Sequence, residues 1–216
     1  MSNIKAFIFD LDGVIVFTDK FHYLAWKKMA DELGIFFDEA INDRTRGVSR
    51  MDALEIVLER YEGEPLSDEQ KQKLATYKNE IYREYLQTMS PADVGEDVRN
   101  TLKELRARGY RLALGSSSKN AKYILDRVGL LDSFDAISDG TNISHSKPNP
   151  EVFLKAAEFL SEDPANCAVI EDAEAGIDAA KAGGFTVIGI QGAASYDKTD
   201  YALNSFSDLL KIAESN

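Results

Sequence analysis

Two kinds of apolar pattern alternate along this chain. Short, nearly unbroken apolar runs fall at 4–9, 110–114, 134–137, 167–170 and 185–190. Runs of that length, bounded by polar residues and glycine, predict strands buried on both faces. Between the later runs the apolar positions recur at helical spacing. Val94, Val98, Leu102 and Leu105 lead to a stop at Gly109, and 121–128 to a stop at Gly129. Further helices are predicted over 150–160, opened by Asn149, and over 175–182, closed by Gly183. Helices that end at glycine and separate short apolar strands mark βαβ units and a mostly parallel sheet.

One interval breaks the rhythm. Between 9 and 110 no strand pattern occurs, and the distance far exceeds an ordinary crossover connection. The segment reads as helix throughout. A helix is predicted over 21–33 with Gly34 as its stop, and Met51, Leu54, Val57, Leu58 and Tyr61 keep helical spacing. Ser67 and Gln70 form a candidate capping box ahead of Leu74, Tyr77, Ile81 and Tyr85. The expected organisation is an α/β core, residues 1–16 and 90–216, with residues 17–89 inserted as a helical domain.

Composition narrows the classes of partner. The 216 residues carry 25 basic and 37 acidic side chains, a net charge of −12. So acidic a chain is a poor non-specific ligand for nucleic acid or an anionic membrane, so neither is an expected partner. An anionic substrate would have to be attracted by a local cluster of cations, backbone N–H groups or a metal. The single Cys167 forms no internal disulfide, which suits a reducing compartment. The N-terminal apolar run is cut by Asp10 and no window reaches the ~18 apolar residues of a membrane span, so a cytoplasmic protein without a leader is expected.

The candidate chemistry lies where the strands should end. Phe7-Ile-Phe-Asp10-Leu-Asp12-Gly13 runs a buried strand into two carboxylates that point the same way in an extended chain. This is either an acidic turn or a pair of charges gathered around a cation. Gly115-Ser116-Ser117-Ser118-Lys119-Asn120 follows the second strand and offers hydroxyls and N–H groups to an anion. Lys147 stands in Ser146-Lys147-Pro148, and Glu171-Asp172 follows the strand at 167–170. In a parallel sheet these strand ends converge on one pocket. Carboxylates crowded there would repel unless a cation sat among them, and an all-oxygen donor set points to Mg²⁺. His22 and His145 are isolated in sequence, which argues against zinc.

These four motifs, in this order, resemble the haloacid dehalogenase superfamily, and the likeness spans essentially the whole chain. It implies a Rossmann-like parallel-sheet core with a helical cap. By that resemblance Asp10 is a nucleophile that takes a phosphoryl group, and Asp12 is the general acid/base. Mg²⁺ would be held by Asp10, the backbone carbonyl of Asp12, and one or both of Glu171 and Asp172. Ser116 and Lys147 would hold the transferring phosphoryl group.

Within the superfamily, the inserted segment is similar to the β-phosphoglucomutases. The similarity rests on Arg46-Gly47-Val48-Ser49-Arg50, on Thr18, His22 and Trp26, on the stretch from Ser90 to Val94, and on Ser116 through Asn120. It implies an isomerase that moves phosphate between C1 and C6 of β-glucose through an aspartyl-phosphate and a β-glucose 1,6-bisphosphate. Arg50 with Ser118, Lys119 and Asn120 would serve a second phosphate, Ser117 counts among the substrate-binding residues, and Thr18, His22 and Lys78 would couple the cap to Asp12. Trp26 reads as packing, although the family places it near the sugar. Phe17, Ala53 and Ala173 depart from residues common in relatives. A sugar-phosphate phosphatase is the alternative, followed by a non-catalytic sugar-phosphate-binding module. One cap on a self-contained core is expected to act as a monomer on a phosphorylated hexose.

Overall fold

The structure, a computed structural model, describes residues 4–46 and 48–214. The chain divides into two compact units, Met1–Phe17 with Ser90–Asn216, and Thr18–Met89. The second contains helices α1 (Asp19–Glu32), α2 (Glu39–Arg44), α3 (Arg50–Leu58) and α4 (Asp68–Leu86). The first contains α5 (Glu96–Ala107), α6 (Ala121–Arg127), α7 (Glu151–Leu160), α8 (Glu174–Ala182) and α9 (Leu209–Glu214).

Among the described residues the first unit is built on one sheet of six parallel strands. They are β1 (Ala6–Phe9), β2 (Arg111–Gly115), β3 (Ala136–Ser138), β4 (Cys167–Glu171), β5 (Thr186–Ile190) and β6 (Tyr201–Leu203), in the order β3–β2–β1–β4–β5–β6. The chain steps outward from β1 through β2 to β3, then returns to pair β4 on the other side of β1. Strand order therefore reverses between β1 and β4, and a ligand crevice opens at the carboxyl ends there. Register makes those ends coincide, with Phe9 opposite both Leu114 and Ile170.

The apolar runs become strands because helices cover both faces. All four residues of β1 are fully buried. Ala6 and Ile8 join a core with Val152, Phe153, Ala156 and Ile177 of α7 and α8. The alternate residues turn the other way: Phe7 meets the edge of Tyr110 at 5.0 Å, and Phe9 stacks on Phe206 at 5.8 Å. Truncating either phenylalanine to alanine removes about 3–5 kcal/mol. Helix α5, which leads into β2, begins two residues after Val94 and stops ahead of Gly109, whose φ of 88° is open to glycine at little strain.

In the helical unit the capping box forms as expected. Gln70 N–H donates to Ser67 Oγ at 3.3 Å and Ser67 N–H to Gln70 Oε1 at 2.8 Å. Trp26, Met29, Phe37, Leu54, Val57 and Ala75 make this unit's own core. Three elements have no counterpart in the predicted pattern: α2, β6 and the six-residue α9. Helix α2 is six residues long and is set by Asp38, whose side chain accepts from Ile41 N at 2.9 Å. Strand β6 is an exposed three-residue edge, drawn into the sheet by Asp200, whose carboxylate and N–H both bond the backbone of Val187.

Candidate active site

Asp10 leaves the end of β1 with its N–H bonded to Ile170 O at 3.0 Å, which locks it beside the last residue of β4, Glu171. Lys147 comes from the loop between β3 and α7. That loop is tied down by the carboxylate of Glu151, which accepts from the N–H groups of Ser144 and His145 and is held at a pKa of about 2 by them. The Lys147 ammonium donates to Asp10 Oδ1 and lies 3.3 Å from Glu171 Oε1. Its third neighbour is the ring of Phe153, 4.7 Å from the nitrogen. Gly115 makes room for that ring, since a Cβ there would come within 2.7 Å of it.

All three charges are out of water: Asp10 is 6 %, Lys147 4 % and Glu171 1 % exposed. Burial alone would favour a neutral Lys147, but Asp10 and Glu171 outweigh it and hold the ammonium charged. The acids carry the opposite strain. Burial pushes the carboxyl of Glu171 well up, helped by Asp10, and burial raises Asp10 against the pull of Lys147.

A cation is the natural relief. Asp10, Glu171 and Asp172 each offer a carboxylate oxygen within 4.8 Å of the others. Two glycines shape the cradle. A Cβ on Gly13 would lie 2.1 Å from Asp172 Oδ2, and one on Gly176 only 1.6 Å from Glu171 Oε1. Three carboxylates facing one ammonium, without histidine or cysteine, fit a hard divalent cation. Asp12 sits in the turn closed by its bridge to Val16, where Gly13 takes a φ of 84°.

The serine turn is organised by its own hydroxyls. Ser116 N–H donates to Ser138 O at 3.0 Å, Ser118 N–H to Ser116 Oγ at 3.1 Å, and Asn120 N–H to Ser118 Oγ at 3.2 Å. These bonds precede helix α6, so Ser116 and Ser118 are not its N-cap. Ser117 Oγ is buried with no hydrogen-bond partner among the described residues, and Lys119 is exposed.

In the helical unit a second set gathers. Lys78 Nζ lies 2.9 Å from His22 Nδ1 and 4.4 Å above the Trp26 ring. Burial, then the charges of Lys78 and Arg50, push the imidazole pKa well down, so His22 is neutral. Thr18 is fully buried and Arg50 donates to Asn79 Oδ1 at 2.8 Å. Trp26 belongs to the unit's core, as packing predicts. The rest of the predicted loop is turned to local duties. Arg46 is paired to Asp19 at 2.7 Å, Ser49 caps α3 through Asp52, and Val48 packs on the core. Gly47 lies outside the described residues.

Two residues near the site were missed from the sequence. Asp139, 1 % exposed, folds the turn behind the serine loop by accepting from Thr141 N at 2.9 Å, and Gly140 N–H there donates to Ser118 O at 3.2 Å. Its Asp-Gly step was the available cue. Gln191 reaches the carbonyl of Gly13, a contact set by a backbone angle that no residue pattern announces. Ala173, one of the departures, stands at the N-cap of α8 without a side-chain cap.

Comparison with known proteins places this geometry. The model of the haloacid dehalogenase-like hydrolases matches residues 4–184. The β-phosphoglucomutase of Bacillus subtilis strain 168 is 40% identical over 206 residues, covering 95% of this chain and 91% of its own. A phosphorylated-carbohydrates phosphatase of Thermotoga maritima is 29% identical, covering 83% and 82%. Among solved structures, β-phosphoglucomutase from Clostridium difficile superposes with a TM-score of 0.91 at 36% identity, covering 98% of this chain and 96% of that one.

Proposed function

The chain belongs to the haloacid dehalogenase-like hydrolases, and on that premise we propose that it is a β-phosphoglucomutase, interconverting β-glucose 1-phosphate and glucose 6-phosphate. The supporting observation is the buried Asp10–Lys147–Glu171 set at the sheet's reversal point, in a chain 40% identical to a mutase of that name.

Phosphoryl transfer demands positioning and charge neutralisation more than covalent machinery. Asp10 is the nucleophile. Its carboxylate oxygen forms the new bond to phosphorus as the donor's oxygen–phosphorus bond breaks, giving an aspartyl-phosphate. Lys147 stays charged and faces the oxygens that gain negative charge. Ser116 orients the same group. When the sugar hydroxyl attacks the aspartyl-phosphate, its proton passes to Asp12 and Asp10 is released. The resulting β-glucose 1,6-bisphosphate turns round, and Asp10 takes the other phosphoryl group while Asp12 returns the proton to the sugar oxygen. Asp10, Glu171, Asp172 and the Asp12 carbonyl would hold Mg²⁺, which supplies further neutralisation of the phosphoryl oxygens when bound. Arg50 is assigned to the far phosphate, for which its planar fork suits bidentate binding. Lys78, Thr18 and His22 are assigned to supporting Asp12 during turnover.

A phosphatase is the second reading, favoured by the Thermotoga relative. The two differ in whether sugar or water takes the phosphoryl group. A single tube with Mg²⁺, β-glucose 1-phosphate and a trace of glucose 1,6-bisphosphate separates them. Glucose 6-phosphate forming far faster than free phosphate is expected; phosphate release in excess assigns the chain to the phosphatases.

A further inference from the structure

Gln191 is the first residue after β5 and takes a φ of 53°, a left-handed conformation that side chains with a Cβ adopt under strain. Strain of this kind persists where the surroundings hold it, and it gathers at functional sites. Here the holding contacts are explicit. The Gln191 amide donates to the carbonyl of Gly13 at 2.5 Å, reaching across β4 to the loop that follows β1. Two residues on, Ala193 N–H donates to the carbonyl of Asp172 at 3.0 Å, and a Cβ on Gly192 would touch that same oxygen at 3.4 Å. The turn after β5 thus binds both acid-bearing loops, one by a side chain and one by backbone.

What it holds is the peptide next to Asp12. Gly13 N–H donates to Val16 O at 2.7 Å, and a planar trans peptide points the Asp12 carbonyl the opposite way. Gln191 fixes the following peptide through its oxygen. With both flanking peptides held, Gly13 keeps the conformation that leaves room for the Asp172 carboxylate.

We infer that Gln191 is a positioning residue for the cation site, clamping the Gly13 peptide so that the Asp12 carbonyl and the carboxylates of Asp10, Glu171 and Asp172 keep one geometry. The inference rests on the reading of those acids as Mg²⁺ ligands. It does not depend on which phosphoryl acceptor the enzyme uses.

The test is Mg²⁺ binding to the substrate-free protein by calorimetry, for the wild type, Gln191→Gly and Gln191→Ala, with metal-free Tm measured beside it. Both variants lose the amide, but glycine also relieves the φ. Loss of one such hydrogen bond corresponds to a Kd about 3- to 10-fold weaker. The expected result is that weakening in both variants, with the metal-free Tm of Gln191→Gly no lower than that of the wild type. A Kd within about 1.5-fold of wild type in Gln191→Gly overturns the clamp, as does weakening seen only in a variant with a lowered Tm. Phosphate release by the wild type in the paired assay would overturn the mutase reading and leave this comparison standing.

Discussion

Replacing Lys147 by methionine separates the two roles that its position implies. Methionine keeps an unbranched apolar side chain and removes the charge that lies over the Phe153 ring. At 3.3 Å from Glu171 Oε1, and with the effective dielectric that suits buried sites, the ammonium contributes about 5 kcal/mol of attraction to that carboxylate alone. Desolvation of the ammonium offsets much of this, and breaking a buried pair lowers stability by about 3–5 kcal/mol net, because the partner acids are left behind. The same deletion removes a cation from the transferring group, an effect of about 3–4 kcal/mol on the barrier. Urea unfolding of the metal-free protein should show the stability loss. Steady-state assay with β-glucose 1-phosphate should show kcat/KM reduced about 10²- to 10³-fold, under conditions where the variant is fully folded. A variant that loses stability while keeping kcat/KM within about tenfold of wild type would mean that Lys147 only neutralises the acids and never meets the phosphoryl group.

Gly176→Ala places a Cβ 1.6 Å from Glu171 Oε1, so the carboxylate must leave its seat. Calorimetry should show Mg²⁺ affinity about 10- to 100-fold weaker, and an unchanged affinity would remove Glu171 from the ligand set. Arg50→Lys keeps charge but not the planar fork; glucose 6-phosphate formation should fall at least about tenfold, while equal rates would show that no bidentate contact is made there. His22 sets a pH dependence. Its folded pKa lies well below the ordinary value near 6.5, so below that value the unfolded chain binds a proton that the folded one refuses. Stability should therefore fall by about 1.4 kcal/mol between roughly pH 7.5 and 5.5, and His22→Gln should abolish that share of the slope. An unaltered slope in His22→Gln would place the titration elsewhere.

Much of this was legible in the chain because buried parallel strands are hydrophobic on both faces and leave short, unmistakable runs. The five predicted strands all occur, with ends moved by one or two residues: β2 extends to Gly115 and β4 to Glu171, since backbone pairing outlasts the apolar run. Strand β6 was hidden because Tyr201-Ala-Leu203 has no pattern of its own and becomes a strand only by pairing with β5. Helix α2 is shorter than two turns, so its spacing carries no periodicity. The site followed the same division. Asp10, Lys147, Glu171 and Asp172 were visible as motifs at strand ends, and the parallel register brings them together. Arg46 was expected at the substrate but pairs with Asp19, a partner 27 residues away that spacing could not reveal. Gln191 and Gly176 matter through a dihedral angle and an empty Cβ position, neither of which is written in residue type.

The account stands on Asp10 carrying the phosphoryl group. Wild-type protein mixed with Mg²⁺ and glucose 1,6-bisphosphate, quenched rapidly in acid and digested, should yield one peptide heavier by a phosphoryl group. That mass should map to Asp10 and be missing from Asp10→Asn. A phosphoryl group found on any other residue, or turnover retained by Asp10→Asn, would contradict the mechanism.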